Sequence, residues 1–236
     1  MKVSVILPTY NERGNIVPLI ESILDVFRKN HIRQYEIIVV DDNSPDKTAT
    51  VCRSHFKKNK SVSVYVRKNH KGLASAIFYG IMKSSADTVI VMDTDFNHDP
   101  AKIPDMLKKV NSKTIVVGSR FVNGGGMENK SRYYLSKAYN YCLKRVFRVS
   151  FSDFLSGYFC AKKSSLLFQK KLFQGYGDYF IRFLVNAHRE GFIIKDIPVF
   201  YINRRWGGSK SQLITMLAQY SRTVFKCLTK GPLYQN

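Results

Sequence analysis

Short runs of β-branched and other apolar residues recur through the first half of this chain, each separated from the next by room for one helix. They lie at residues 3–7, 36–40, 62–66, 88–92 and 114–118. Runs of this length and composition read as strands buried on both faces. The segments between them, at about residues 15–29, 46–58, 72–84 and 101–110, carry helical patterning. Strands alternating with helices predict βαβ units, a mostly parallel sheet flanked by helices and an α/β fold of Rossmann-like character.

Three of these runs end in polar clusters. Pro8-Thr9-Tyr10-Asn11-Glu12 follows the first, Asp41-Asp42-Asn43-Ser44 the second and Asp93-Thr94-Asp95 the fourth. Parallel sheets bind ligands outside the carboxyl ends of their strands. The three clusters are therefore expected to line one edge together. Paired carboxylates at a strand end must reach solvent or hold a cation, because desolvating them unpaired is costly. Asp-X-Asp after a buried strand suits Mg²⁺ or Mn²⁺ bound together with a diphosphate, since hard cations take oxygen ligands. The competing reading of Asp93 and Asp95 is a solvated acidic loop. Asp41 and Asp42 also suit a turn and helix N-cap, and both readings can hold, with one Asp serving a ligand site and the other the turn.

The second half is less regular. Gly124-Gly125-Gly126 marks a loop, and helices are expected near 132–147 and 178–190, strands near 192–202 and a loop over 204–211. Leu213, Leu217, Tyr220, Val224 and Leu228 recur at helical spacing, predicting a C-terminal amphipathic helix. That helix either packs on the domain or lies on a membrane surface. The expected division is a catalytic domain over 1–210 and a helix with tail over 211–236.

The 236 residues carry a formal net charge of +21. So basic a chain calls for an anionic partner: nucleic acid, an anionic membrane or phosphorylated substrates. Basic residues concentrate at 53–60, 67–71 and 137–148, each also readable as a solvated face. The four cysteines, Cys52, Cys142, Cys160 and Cys227, have no metal-binding spacing and read as reduced, mostly buried thiols. No leader peptide is expected at the amino terminus, and no apolar stretch approaches the roughly 20 residues that span a bilayer.

In order along the chain, the motif at 5–12, the motif at 39–46 and Asp93-Thr94-Asp95 resemble a family 2 glycosyltransferase with the GT-A fold. Gly118-Ser119-Arg120, Ser156-Gly157-Tyr158 and Arg204-Arg205-Trp206-Gly207-Gly208-Ser209-Lys210 are similar to the dolichol-phosphate mannosyltransferase, or polyprenol-phosphate glycosyltransferase, branch. The resemblance implies inverting transfer of a sugar, mannose or glucose, from a nucleoside-diphosphate sugar to a polyprenyl or dolichyl phosphate. It implies a nucleotide-sugar pocket made by Pro8, Tyr10, Glu12, Asp41, Asp42, Lys71, Asp93 and Lys210. It implies a Mg²⁺ or Mn²⁺ site at Asp93, Asp95 and Asn97, where Asn97 replaces the Gln that relatives often carry. Arg120, Arg132 and Ser136 match the acceptor-phosphate positions, and Asp95, Arg120 and Arg204 the catalytic ones. Lys71-Gly72-Leu73-Ala74 reads either as an ordinary helix start or as one whose free N–H groups face a diphosphate. His98 reads as a metal ligand or as a solvated loop residue. The implied setting is the cytosolic face of a membrane, held peripherally by charge, by the C-terminal helix or by a small anchoring subunit, with no nucleic acid. Two alternatives stay open. One is a glycosyltransferase acting on a saccharide or lipid-linked sugar hydroxyl, which needs a carboxylate base such as Asp153 or Asp178. The other is a non-catalytic basic module for membrane or nucleic acid, which predicts no organised carboxylates.

Overall fold

The structure, a computed structural model, describes residues 1–69, 71–167, 169–202 and 213–229. The expected alternation is present: β1 (Val3–Thr9), α1 (Ile16–Lys29), β2 (Tyr35–Asp41), α2 (Thr48–His55), β3 (Val62–Val66), α3 (Leu73–Lys83), β4 (Thr88–Val91), α4 (Ile103–Lys109) and β5 (Thr114–Ser119). Then follow β6 (Gly126–Met127), α5 (Lys130–Phe147), β7 (Phe159–Lys162), α6 (Lys163–Leu167), α7 (Tyr179–Arg189), β8 (Ile193–Pro198), β9 (Phe200–Tyr201) and α8 (Leu213–Thr229). A seven-stranded sheet has the order β3-β2-β1-β4-β7-β5-β8, and β6 pairs with β9 in a small second sheet.

Side chains alternate across the central strands and bury both faces. Ile6, Ile38, Val40, Val89 and Val91 join one core with α3, α7 and α8. Val5, Leu7, Ile37, Val39 and Ile90 join a second core with α1 and α4. The chain reverses direction across the sheet between β1 and β4, so the carboxyl ends of those two strands flank a crevice.

One strand departs from the parallel pattern. β7 runs antiparallel to both β4 and β5, with Phe159 opposite Val91 and Val117. Its amino end therefore lies at the carboxyl edge of its neighbours. This topology carries Ser156-Gly157-Tyr158 to the same edge as Asp93 and Asp95, and Gly118 N–H bonds Tyr158 C=O at 2.9 Å.

α8 packs on α7 through Tyr220, Thr223 and Cys227, which are buried, while Phe225 and Leu228 are exposed. Leu228 thus lies outside the packed face on which the apolar spacing placed it. The side chains of Leu213 and Leu217, the loop over 204–211 and the division at 210 lie outside the described residues. Among the described residues no helix is long and apolar enough to cross a membrane. Three of the four cysteines are buried and Cys142 is exposed.

On β8, Asp196 accepts hydrogen bonds from Ser152 N–H and Oγ, each at 2.7 Å. Burial pushes its carboxyl up to about 6 against the opposing effect of those bonds. The unfolded chain releases this proton first, so the associated stability is full below about pH 4 and lost as pH rises through about 6. Asp196→Asn retains an acceptor for Ser152 and removes the charge. It is expected to raise stability near pH 7.5 by on the order of 1–2 kcal/mol, with the gain vanishing below about pH 4. Thermal unfolding of both proteins across that range is the check.

Candidate active site at the carboxyl edge of the sheet

Two cavities meet at the ends of β1 and β4. The first, of about 490 Å³, is lined by Pro8, Tyr10, Glu12, Asp42 and Lys71 together with Asp93 and Asp95. The second, of about 300 Å³, is lined by Asp93, Asp95, Asn97, Arg120 and Arg132 and by apolar groups including Leu155 and Met216. Asp93, Asp95, Leu73 and Tyr176 line both. The Asp-X-Asp pair thus stands at the seam, and most of the residues expected in one site are gathered there.

The first cavity has a built floor. Asp42, which is buried, accepts from Gly72 N–H at 2.7 Å and from Arg67 Nε at 2.7 Å. Arg67 in turn donates to Ser75 Oγ and Gly72 C=O, both at 3.0 Å. Gly72 has φ +142, a conformation that side chains rarely adopt, so a glycine is required where the loop turns into α3. The Lys71 ammonium stands 5.4 Å from the centre of the Tyr10 ring. Glu12 is held by Asn15 Nδ2 at 2.7 Å. Asp41 is not among the lining residues. Its carboxylate accepts from Ser44 N–H at 2.9 Å and from Thr9 Oγ1 at 3.3 Å, which is the turn-forming role. Asp46, one residue before the N-cap of α2, accepts from Thr48 N–H at 2.9 Å.

At the seam, Asp95 is 2% exposed and accepts from Asn97 N–H at 3.1 Å and Asn97 Nδ2 at 2.7 Å. Among the described residues no three His, Cys, Asp or Glu side chains assemble into a metal cage. The donor set is two carboxylates with the Asn97 amide beside them, all hard oxygen ligands. That suits a Mg²⁺- or Mn²⁺-type ion whose remaining ligands come from a diphosphate and water.

In the second cavity Arg120 is 4% exposed, and its Nε and Nη2 each donate to Asp153 at 2.8 Å, with its backbone N–H adding a third bond at 3.1 Å. Burial alone would lower the guanidinium's affinity for its proton, but the paired Asp153 more than offsets this and holds Arg120 above its ordinary range. The Arg120 guanidinium also faces the Tyr201 ring at 4.8 Å. Arg132 reaches the cavity from the first turn of α5, which Asn129 caps by accepting Arg132 N–H at 2.9 Å. Ser136, one turn further, is not among the lining residues, and its C=O and Oγ face Asn140 Nδ2. Arg204 and Lys210 lie outside the described residues.

Both carboxylates considered as general bases are engaged elsewhere. Asp153 is fully buried against Arg120. Asp178 accepts from Arg182, from Gln219 Nε2 at 2.9 Å, from Thr223 Oγ1 at 3.0 Å and from Tyr176 N–H at 3.1 Å. It ties α7 to α8 and to the loop that carries Tyr176. Sequence reasoning missed Arg67, Tyr176 and Tyr201, and of the two readings of His98, metal ligand or solvated loop residue, the solvated one fails because the imidazole is fully buried. Arg67 meets Asp42 from 25 positions away and His98 meets Tyr201 from 103, pairings that no local pattern announces.

The family model described as Glycosyl transferase family 2 matches residues 4–173. The chain belongs to glycosyl transferase family 2. Among relatives, it is 43% identical over 130 residues to a dolichol-phosphate mannosyltransferase of Pyrococcus furiosus, an alignment covering 55% of this chain and 36% of that protein. It is 28% identical over 221 residues to an undecaprenyl-phosphate mannosyltransferase of Micrococcus luteus, covering 89% of this chain and 87% of that one. The chain therefore spans about a third of the length of the Pyrococcus relative but most of the Micrococcus one. A glucosyl-3-phosphoglycerate synthase from Mycobacterium tuberculosis, solved with Mn²⁺, UDP and phosphoglyceric acid, superposes with a TM-score of 0.67 at 20% identity, covering 96% of this chain and 77% of that one. At that identity the likeness shows the fold, which this family 2 glycosyltransferase shares.

Proposed function

We propose that this chain transfers a hexose, mannose first among the candidates, from a nucleoside-diphosphate sugar to the phosphate of a polyprenyl lipid, with inversion and with Mg²⁺ or Mn²⁺. The observation that carries the reading is the pair of cavities meeting at Asp93 and Asp95, the second of them adding two arginines and apolar groups. The names of the Pyrococcus and Micrococcus relatives agree with it.

In this reading the first cavity takes the nucleotide, with Tyr10 against the base and Glu12 and Asp42 toward imide or hydroxyl donors. Arg120 and Arg132 receive the acceptor phosphate. An acceptor phosphate oxygen attacks the anomeric carbon from the face opposite the diphosphate. The new carbon–oxygen bond forms as the bond to the diphosphate oxygen breaks, and the electron pair leaves on the nucleoside diphosphate. A bound divalent ion would be held by Asp93 and Asp95 with Asn97 and would supply positive charge to that leaving group. A phosphate monoester is already anionic near neutral pH, so the step requires no general base. This accords with the engagement of Asp153 by Arg120 and of Asp178 by Arg182, and it disfavours a hydroxyl acceptor. The organised carboxylates at the seam likewise disfavour a non-catalytic basic module.

The membrane surface belongs to the same reading. α5 exposes Tyr134, Leu135, Tyr141 and Val146, and α8 exposes Phe225 and Leu228. Neither helix contains an acidic residue, and no Asp or Glu follows Asp196 in the chain. Apolar groups rimmed by Lys and Arg fit an anionic bilayer, with about 1 kcal/mol contributed per basic residue near the surface. Co-sedimentation with anionic vesicles is expected at low salt and is weakened at high salt. Protein that stays in the supernatant at low salt excludes this mode of attachment, leaving a separate anchoring subunit.

The deciding experiment is a donor panel of GDP-mannose, UDP-glucose and UDP-N-acetylglucosamine against short polyprenyl phosphates and, in parallel, free saccharides, with Mn²⁺. Transfer to a free sugar hydroxyl, and none to any polyprenyl phosphate, would establish the alternative acceptor.

A further inference from the structure

The His98 imidazole is fully buried, and both of its nitrogens are bonded. Nδ1 accepts from Asp93 N–H at 2.7 Å. A backbone N–H can only donate, so Nδ1 carries no proton and the ring proton resides on Nε2. Nε2 faces Tyr201 Oη at 2.8 Å and Ser156 C=O at 3.0 Å. The ring lies flat on Tyr158, at 4.8 Å between centres and 11° between planes. Tyr158 is itself anchored by its hydroxyl, which donates to Asp99 C=O at 2.9 Å.

Each bond reaches a different half of the site. The bond to Asp93 folds the loop after β4 back on itself and fixes the peptide from which the Asp-X-Asp pair begins. Within that loop Phe96 has φ +65, a left-handed conformation that a bulky residue keeps only when its surroundings enforce it. The bond to Tyr201 holds the ring on which the Arg120 guanidinium rests. Tyr201 also bonds Ser156 C=O at 2.9 Å, so the acceptor-side loop is tied to the same node.

We propose that His98 is a positioning residue, neither ligand nor base, that sets the Asp93–Asp95 loop and the Arg120 cation in fixed register across the seam. The proposal rests on the two-cavity reading above. Under it, one imidazole fixes where the leaving diphosphate sits relative to the attacking phosphate, so its loss affects alignment more than folding.

The two nitrogens can be replaced separately. In His98→Asn the side-chain oxygen occupies the place of Nδ1, keeping the Asp93 bond and losing the one to Tyr201. In His98→Gln the amide nitrogen occupies the place of Nε2, keeping the Tyr201 side and releasing Asp93. Tyr201→Phe removes the hydroxyl and keeps the ring under Arg120. Two readouts are taken: calorimetric binding of the nucleoside diphosphate with Mn²⁺, and kcat and KM for a short polyprenyl phosphate. His98→Gln is expected to weaken nucleotide binding about tenfold, the scale of one lost hydrogen bond in a buried site. His98→Asn and Tyr201→Phe are expected to leave nucleotide binding within about twofold while lowering kcat/KM for the acceptor about tenfold. The double variant His98→Asn with Tyr201→Phe should be no worse than either change alone, because both cut one link.

Equal shifts in both readouts for His98→Asn and His98→Gln, or no shift in either, would overturn the proposal and leave His98 a packing residue. Should the His98 variants not fold, an unchanged acceptor kcat/KM in Tyr201→Phe overturns it as well. Failure of the wild-type protein to use polyprenyl phosphate would instead sink the acceptor assignment. The contrast between the two His98 variants in nucleotide binding needs no acceptor and would still decide the role of His98.

Discussion

Asp95→Ala is expected to lower transfer by about three orders of magnitude or more, equivalent to about 4 kcal/mol of transition-state stabilisation. Asp95 is almost fully buried, lines both cavities and orders Asn97 through two hydrogen bonds. Under the proposed function its removal takes away a carboxylate at the point where charge builds on the leaving diphosphate, and it also frees Asn97. Asp95→Asn separates these contributions, because it preserves shape while removing the charge. Its activity should fall nearly as far, while its melting temperature should stay near wild type. Chelation of divalent ions should silence the wild-type protein reversibly, with Mn²⁺ restoring transfer and having no effect on Asp95→Ala. Transfer at the wild-type rate by Asp95→Ala would remove the ion from this position.

The second large effect is expected at Asp153. Asp153→Ala leaves Arg120 buried without its partner, and breaking such a pair from one side costs about 3–5 kcal/mol. For a chain of this size that corresponds to a fall in melting temperature of roughly 6–20 °C. The double change Arg120→Ala with Asp153→Ala removes the stranded charge and should recover much of the stability, yet transfer should stay lost because the cation proposed to receive the acceptor is gone. A carboxylate acting as general base predicts otherwise. The transfer lost in Asp153→Ala would then be restored by a small exogenous carboxylate, and the double change would regain it in the same way. Thermal unfolding and initial rates of the three proteins distinguish the two.

The parts of the fold that were legible in the sequence are those set by local pattern. β1 to β5 and their helices follow from β-branched runs at helical intervals, and the gathering of three polar strand ends at one edge follows from the parallel sheet. β7 was not legible. Phe159–Lys162 is four residues long and takes its register from partners on both sides, so its segment alone says little about direction. The same limit applies to individual side chains. Asp42 and Asp41 are adjacent and identical, yet Arg67 and Gly72 draw one to the cavity floor while Ser44 and Thr9 hold the other in a turn. Ser136 shares a face with Arg132 by spacing but does not line the cavity, and its C=O and Oγ face Asn140 one turn further on. His98 reads as a polar loop residue until partners 58 and 103 positions away close around it.

The antiparallel strand also bears on how the molecule comes together. β4 and β5 are separated in the sheet only by β7, which arrives some 40 residues after β5 in the chain. Until β7 inserts, β3-β2-β1-β4 is one half-sheet with an unpaired edge at β4, and β5 has no neighbour on that side. Unpaired apolar edges of this kind template association with other chains. A chain stopped before residue 159 is therefore expected to aggregate during synthesis, although it already contains every acidic strand end of the site.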